Sequence, residues 1–399
     1  MQALIRFINH EATAGFVLAV AAIAALIASN AAMFAPYYQT FLTVSAQVAV
    51  GDWQLAKPLV FWINDALMTV FFFLVGLEIK RESLEGHLAS RDQLMLPLLA
   101  AAGGMAMPAA VYTLVAYGAD GGALLRGWAI PTATDIAFAL GALALLGPRV
   151  PLPLKVFLLA LATLDDLGAI AIIAVFYTSE LSVAALCLAA LTLGGLILLN
   201  RLGVIRIVPY LALGVLLWLF VLRSGVHPTL SGVALAFAIP LRGKRGAPML
   251  EQLEEALHPY VKWLILPLFA FANAGVTFHG FNMKTLLQPL PLAIAAGLVL
   301  GKPLGIFGMT ALVVKGGWSR LPTNCTFAHM LGAACLGGIG FTMSLFIGML
   351  AFSGETELAG VRLGVLCGSL ISAVIGFIIL RAVTAGQAEE PVAEAAHSR

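Results

Sequence analysis

Residues 161–170 read LATLDDLGAI. Asp165 and Asp166 stand side by side in a run, Val156 to Ser179, that holds no other charged residue. An α-helix needs about 20 mostly apolar residues to cross the hydrocarbon core of a bilayer, and this run is long enough. A charge at the bilayer centre costs about 2.5–3.5 kcal/mol on insertion scales. The run therefore reads as a membrane span, and the two carboxylates inside it read as functional.

The rest of the chain repeats the pattern. Its 399 residues are 61% hydrophobic and 11% charged, with a mean hydropathy of +0.99; soluble domains carry about a quarter charged residues. Twelve apolar runs follow one another, roughly 12–30, 58–80, 94–117, 121–146, 154–177, 181–200, 205–222, 224–240, 259–278, 289–314, 327–350 and 358–381. Only Arg223 and Ser224 separate spans 7 and 8. The chain thus reads as an all-α polytopic membrane protein with one transmembrane domain, 1–381. Residues 382–399, polar and rich in Ala and Glu, are expected to form a disordered cytoplasmic tail. The first run resembles a signal peptide in length, but Glu11 and the similar runs behind it make it a retained span.

Lys and Arg set the orientation, because cytoplasmic loops carry the excess. With the N-terminus inside, fifteen lie inside and five outside (Lys57, Arg126, Arg223, Lys284, Arg362), so both termini are cytoplasmic. The segment SAQVAVGDWQLAK, on the outer side, alternates apolar and polar residues around Gly51-Asp52 and reads as a β-hairpin. An isolated hairpin is marginal in water, so this one needs a surface, such as a second subunit. The net charge of +2 says little about partners, but the chain has no basic run suited to nucleic acid. Cys187, Cys325, Cys335 and Cys367 lack metal-ligand spacing and read as packing residues.

Six ionisable residues fall in or near the spans: Asp65, Asp135, Asp165, Asp166, Lys262 and Lys302. Asp65 lies towards the outer face, and Lys262 lies near a span end where it can snorkel; both read as structural. Asp135, Asp165, Asp166 and Lys302 fall near the middles of three spans, which points to one shared polar site. Neighbouring side chains on a helix diverge by about 100°, so one aspartate can face a cavity while the other faces a protein partner. Burial and like-charge repulsion favour protonation of such a pair, whereas a nearby cation favours its charged form. Protons and small cations therefore compete for it.

Two spans look broken at the same depth. In span 4, AIPTATDIAF places Pro131 among Thr132 and Thr134, and proline cannot donate a backbone N–H. In span 11, CLGGIGFTMSL places Gly337, Gly338 and Gly340 together, which weakens a helix. Unwound backbone survives in a membrane only where protein or water satisfies it. Interrupted segments in the two halves of a chain point to a transporter binding site.

The stretches WINDALMTVFFFLVGLEIKRE, GWAIPTATDIAFALG, LATLDDLGAI, LPLFAFANAGV, GKPLGI and GIGFTMSLFI, taken in order, strongly resemble the NhaA family of bacterial sodium/proton antiporters. The likeness runs from about residue 5 to 381. It implies twelve transmembrane helices, spans 3–5 and 10–12 forming inverted repeats, and two discontinuous helices, spans 4 and 11. It implies electrogenic exchange of one Na⁺ or Li⁺ for two protons in the bacterial inner membrane, regulated by pH and serving Na⁺ efflux and pH homeostasis, with no cofactor. Asp165 and Asp166 match the pair that binds the ion and the protons. Thr134 and Asp135 match the unwound stretch of span 4, and Gly340 a glycine beside the break in span 11. Lys302 matches a buried lysine that pairs with an aspartate, here Asp165. The outer hairpin matches a homodimer contact. Glu78, Glu82 and Glu254 match a pH-sensing region. There the stretch MLEQLEEALHPY departs from the best-known pattern, carrying Glu251, Gln252 and Glu255 in place of basic residues or histidine, so the pH activation profile does not carry over.

Other classes fit less well. Intramembrane aspartyl proteases use a G-x-G-D motif that this sequence lacks, and adjacent aspartates with no basic phosphate clamp do not suit Mg²⁺-dependent phosphate chemistry. A channel favours repeated rings of ligands, whereas one buried acid–base cluster favours a gated carrier.

Overall fold

A computed structural model describes residues 11–385 apart from 52, 87–90, 121, 179–180, 243–248 and 279–282. The tail from residue 386 lies outside the described residues. The described residues are mostly helical, with one small sheet among them. Helix α1 (Glu11–Asn30) and the short α2 (Ala35–Thr43) lead into strands β1 (Ser45–Val50) and β2 (Trp53–Pro58). Next come α3 (Leu59–Leu84), α4 (Arg91–Asp120), α5 (Ile136–Leu145), α6 (Leu152–Phe176), α7 (Val183–Arg201) and α8 (Ile207–Ser224). The second half holds α9 (Leu230–Ala238), α10 (Met249–Tyr260), α11 (Leu266–Asn273), α12 (Met283–Leu286), α13 (Pro289–Lys315), α14 (Phe327–Leu336), α15 (Phe341–Ala351) and α16 (Glu355–Thr384).

Among the described residues, nine helices are long and apolar enough to cross a membrane, or ten if α14 and α15 make one bent span. Of the twelve runs read from the sequence, the remaining two correspond to α9 and to the stretch around α10 and α11. Helix α8 runs on through Ser224 and stops where Gly225 takes a left-handed φ of 86°, a conformation glycine adopts without a Cβ penalty. The loop between spans 7 and 8 therefore falls at 225–229, after the two residues that separate the apolar runs. At 1.5 Å per residue, the nine residues of α9 extend only about 14 Å, so the helix alone does not span a core of about 30 Å. Its last carbonyls are satisfied from neighbouring elements: Lys80 Nζ donates to Phe237 O and Ile239 O, and Asn200 Nδ2 to Ala238 O at 2.7 Å. Helix α16 continues past residue 381 to Thr384.

The lipid-facing surface is apolar, as Leu114, Val183 and Leu191 (each about three-quarters exposed) show; a water-soluble monomer rarely exposes so much contiguous hydrocarbon. Inside, small residues let helices meet. Helices α4 and α13 lie along one another, and a Cβ at Gly305 would meet the Gly103 carbonyl. Without a hydrophobic drive between helices in lipid, such close backbone contact supplies the attraction.

The expected hairpin is present: β1 and β2 pair antiparallel, from Ser45↔Pro58 to Val50↔Trp53. Trp62 Nε1 donates to Ala46 O at 3.1 Å and ties it to the start of α3. Among the described residues three π-helical turns occur, at Trp62–Leu67, Val261–Ile265 and Gly297–Gly301. The first contains Asp65, the second contains Lys262, and Lys302 directly follows the third. Such turns are frequent at functional sites.

Candidate functional site

The site is built where two helical runs stop and restart. After a 3-10 turn at Ile130–Thr132 the backbone extends at Ala133, and α5 begins at Ile136 with Asp135 as its N-cap. Opposite it, α14 ends at Leu336 and α15 begins at Phe341, with a bend of 47° between them. Pro131 accounts for the first interruption, since it lacks the N–H a continuing helix would use. It rests against Gly297 of α13, where a Cβ would come within 2.7 Å of the proline ring. Gly338 accounts for part of the second: a Cβ there would crowd Leu298 O and lie 2.6 Å from Ser372 Oγ.

Each interruption satisfies the other's backbone. Asp135 N donates to Ile339 O at 2.6 Å. The Thr134 hydroxyl lies 2.8 Å from Gly337 O and 2.7 Å from Asp165 Oδ2, two acceptors for its one proton. Ser344 Oγ donates to Ile130 O at 2.6 Å. Ser369 Oγ of α16 accepts from the N–H groups of Gly340 and Phe341. Asp135 Oδ1 accepts from Phe138 N at 3.1 Å, and Oδ2 from Thr342 N at 3.1 Å and Thr342 Oγ1 at 2.5 Å. One carboxylate thus caps the positive ends of both α5 and α15.

The two adjacent aspartates diverge as helical geometry requires. Asp165 forms a fully buried ion pair with Lys302, whose Nζ donates to Oδ2. Asp166 turns instead to a cavity of about 270 Å³ that Thr134, Asp135 and Thr342 also line. Glu78, His258 and Lys262 line the same cavity. Asp165 Oδ1 and Asp166 Oδ1 are buried with no hydrogen-bond partner among the described residues.

The three glutamates grouped in the sequence meet around Arg81 and His258. Glu254 accepts from Arg81 at 2.9 and 3.1 Å, and Glu82 pairs with the same arginine at 2.8 Å. Glu78 lies 3.1 Å from His258 Nε2, and Glu254 lies 4.0 Å from it. The hydrogen bond to Glu78 pushes the His258 imidazole above its ordinary range, against burial. Burial pushes the Glu254 carboxyl up, against the hydrogen bonds and charge of Arg81. Lys262 sits over the Trp263 ring at 5.4 Å, and Asp65 lies 3.5 Å from His227.

Sequence reasoning did not single out Thr342, His258 or the amide pair Asn64–Asn273, which exchange hydrogen bonds of 3.1 and 2.7 Å. A threonine two residues past a glycine break was the available signal for Thr342. His258, one turn after Glu254, was the signal for the charged cluster.

A multi-span membrane protein with a buried acid–base cluster beside a cavity that one of its carboxylates lines has the build of a secondary transporter. The comparisons make this specific. The family described as Na⁺/H⁺ antiporter 1 matches residues 5–380. The Na⁺/H⁺ antiporter NhaA of Bordetella parapertussis is 55% identical over 382 residues, 94% of this chain and 95% of the relative. NhaA 2 of Magnetococcus marinus is 52% identical, covering 96% and 98%. NhaA of Rhodospirillum rubrum is 53% identical, covering 96% and 97%. The chain belongs to the NhaA family of Na⁺/H⁺ antiporters, and it is a secondary transporter, not an enzyme.

Proposed function

We propose that this chain exchanges one Na⁺ or Li⁺ for two protons by alternating access, electrogenically and under pH control, in the bacterial inner membrane. The observation that carries the reading is the divergence of the aspartate pair: Asp166 lines the cavity while Asp165 is locked to Lys302. Twelve spans are proposed, forming a single domain over 1–381 with inverted repeats 3–5 and 10–12 and both termini cytoplasmic. In this reading the segments flanking Pro131 and those flanking Gly337, Gly338 and Gly340 are half-helices of spans 4 and 11. The cavity mouth beside Glu78 and His258 then faces the cytoplasm.

With the site open to that side, Na⁺ sheds water and binds Asp166, Thr134 and the free oxygen of Asp165. Hard cations want such oxygen ligands. Asp135 holds the two breaks together and lends negative charge nearby. As Na⁺ engages Asp165, Lys302 loses its counter-charge and releases one proton; Asp166 releases the other. After Na⁺ leaves outward, two protons reload the same groups. One net positive charge moves inward per cycle, worth about 2.3 kcal/mol per 100 mV, so the membrane potential drives Na⁺ efflux and supports pH homeostasis. No cofactor takes part. Glu78, Glu82 and Glu254 tune the cycle to pH, the hairpin joins two copies in a homodimer, and the lipid bilayer is the surrounding partner.

Reconstituted vesicles test the reading. A Na⁺ pulse on one side drives proton movement in wild type and none in Asp166→Asn. An imposed potential of the driving sign speeds the wild-type rate. Full exchange by Asp166→Asn would sink the site assignment.

A further inference from the structure

Glu78 of α3 and Glu254 and His258 of α10 present two carboxylate oxygens and an imidazole nitrogen, all within 4.8 Å of one another. We infer that these three side chains form a site for a divalent transition metal of the zinc class, placed where the cavity opens. Occupancy of the site closes the way to Asp166.

The donor set favours this class of ion. One imidazole with two carboxylates suits Zn²⁺ and its first-row neighbours, and leaves a fourth position for water. Mg²⁺ and Ca²⁺ prefer oxygen ligands throughout. Bonds of about 2.0–2.2 Å in a tetrahedral site separate the ligand atoms by about 3.4 Å. The observed separations from His258 Nε2 are 3.1 Å to Glu78 and 4.0 Å to Glu254, so side-chain rotation completes the site. The His258 side chain is 51% exposed and free to make that rotation, whereas that of Glu254 is only 10% exposed. Arg81 fixes the Glu254 carboxylate through both its oxygens, each of which keeps a second lone pair. The Arg81 charge opposes a cation, but Glu82 neutralises it from the other side at 2.8 Å. Glu78 and His258 themselves line the cavity, and His258 is exposed whereas Asp166 is buried, so a metal ion bound to both sits between Asp166 and the surface. This blocking step rests on the proposed function; metal binding does not.

Co²⁺ is the probe for binding. Four- and five-coordinate Co²⁺ absorbs visible light far more strongly than the hydrated ion. Purified detergent-solubilised protein is titrated with Co²⁺ after EDTA treatment and removal of the chelator. The expected result is a visible band that saturates at one equivalent, is displaced by Zn²⁺, is lost in His258→Ala and returns in His258→Cys, which restores a ligand. No band in wild type, or one that survives in His258→Ala, overturns the site. For blocking, Zn²⁺ is added at the cavity-mouth side of reconstituted vesicles, and inhibition is read as a fraction of each variant's own rate. At least tenfold weaker inhibition in His258→Ala than in wild type is expected. Equal inhibition, or none in wild type, overturns the blocking step. If no vesicle shows Na⁺-dependent proton movement, the antiport reading fails while the Co²⁺ result still judges the metal site.

Discussion

Thr342 donates both its backbone N–H and its hydroxyl to one oxygen of Asp135, at 3.1 and 2.5 Å. That side chain joins the start of α15 to the start of α5, two elements more than 200 residues apart in sequence. A buried hydrogen bond to a charged group contributes about 1.5–3 kcal/mol. Thr342→Val keeps the shape and the N–H but removes the hydroxyl. It should lower the thermal unfolding midpoint in detergent by several degrees, and Thr342→Ser should restore most of the loss.

The Asp165–Lys302 pair is fully buried. Removing one member of such a pair leaves an uncompensated charge and costs about 3–5 kcal/mol, whereas replacing both with neutral groups costs far less. Asp165→Asn and Lys302→Met should therefore each destabilise strongly, and the double variant should recover much of the loss. A double-mutant cycle on thermal unfolding reads the coupling; additive losses would show that the pair is not a unit.

Backbone proximity between α4 and α13 predicts a third effect. A side chain at Gly305 would collide with the Gly103 carbonyl, which is backbone and cannot rotate away. Gly305→Val should reduce the yield of monodisperse protein sharply, since overpacking costs about 1–3 kcal/mol where neighbours can shift and more where they cannot. Gly308→Val, with open space around it, should behave like wild type in size-exclusion chromatography.

His258 titrates above its ordinary value because Glu78 accepts its hydrogen bond. Glu254 and Lys262 also act on this group, the glutamate favouring the charged imidazole and the lysine opposing it. A raised folded-state value means the contact stabilises fully below the unfolded value of about 6.5. That stability is lost as pH rises through the folded value. With EDTA present, wild type should melt above His258→Ala at pH 5.5, and the gap should close in the alkaline range. A gap that widens with pH would contradict the assignment.

The hairpin strands are largely exposed on both faces, and a lone hairpin is marginal in water. Replacing residues 45–58 by a short polar linker should convert a dimer to a monomer in light scattering. Transport per protomer should persist, because no described hairpin residue lines the cavity around Asp166.

Much of this protein is readable from the sequence alone. Long apolar runs define the membrane class, because bilayer thickness fixes the length of a spanning helix. Pro131 and the Gly337–Gly340 cluster mark the interruptions, because both act on the backbone locally. Asp135, Asp165, Asp166 and Lys302 stand out because charge in such runs is expensive. Tertiary structure decided what a helix's own periodicity cannot. Spacing fixes the angle between two side chains on one helix, not which neighbour each meets. Only packing turns Asp165 to Lys302 and Asp166 to the cavity, sets Thr342 on Asp135, and brings Glu78, Glu254 and His258 together.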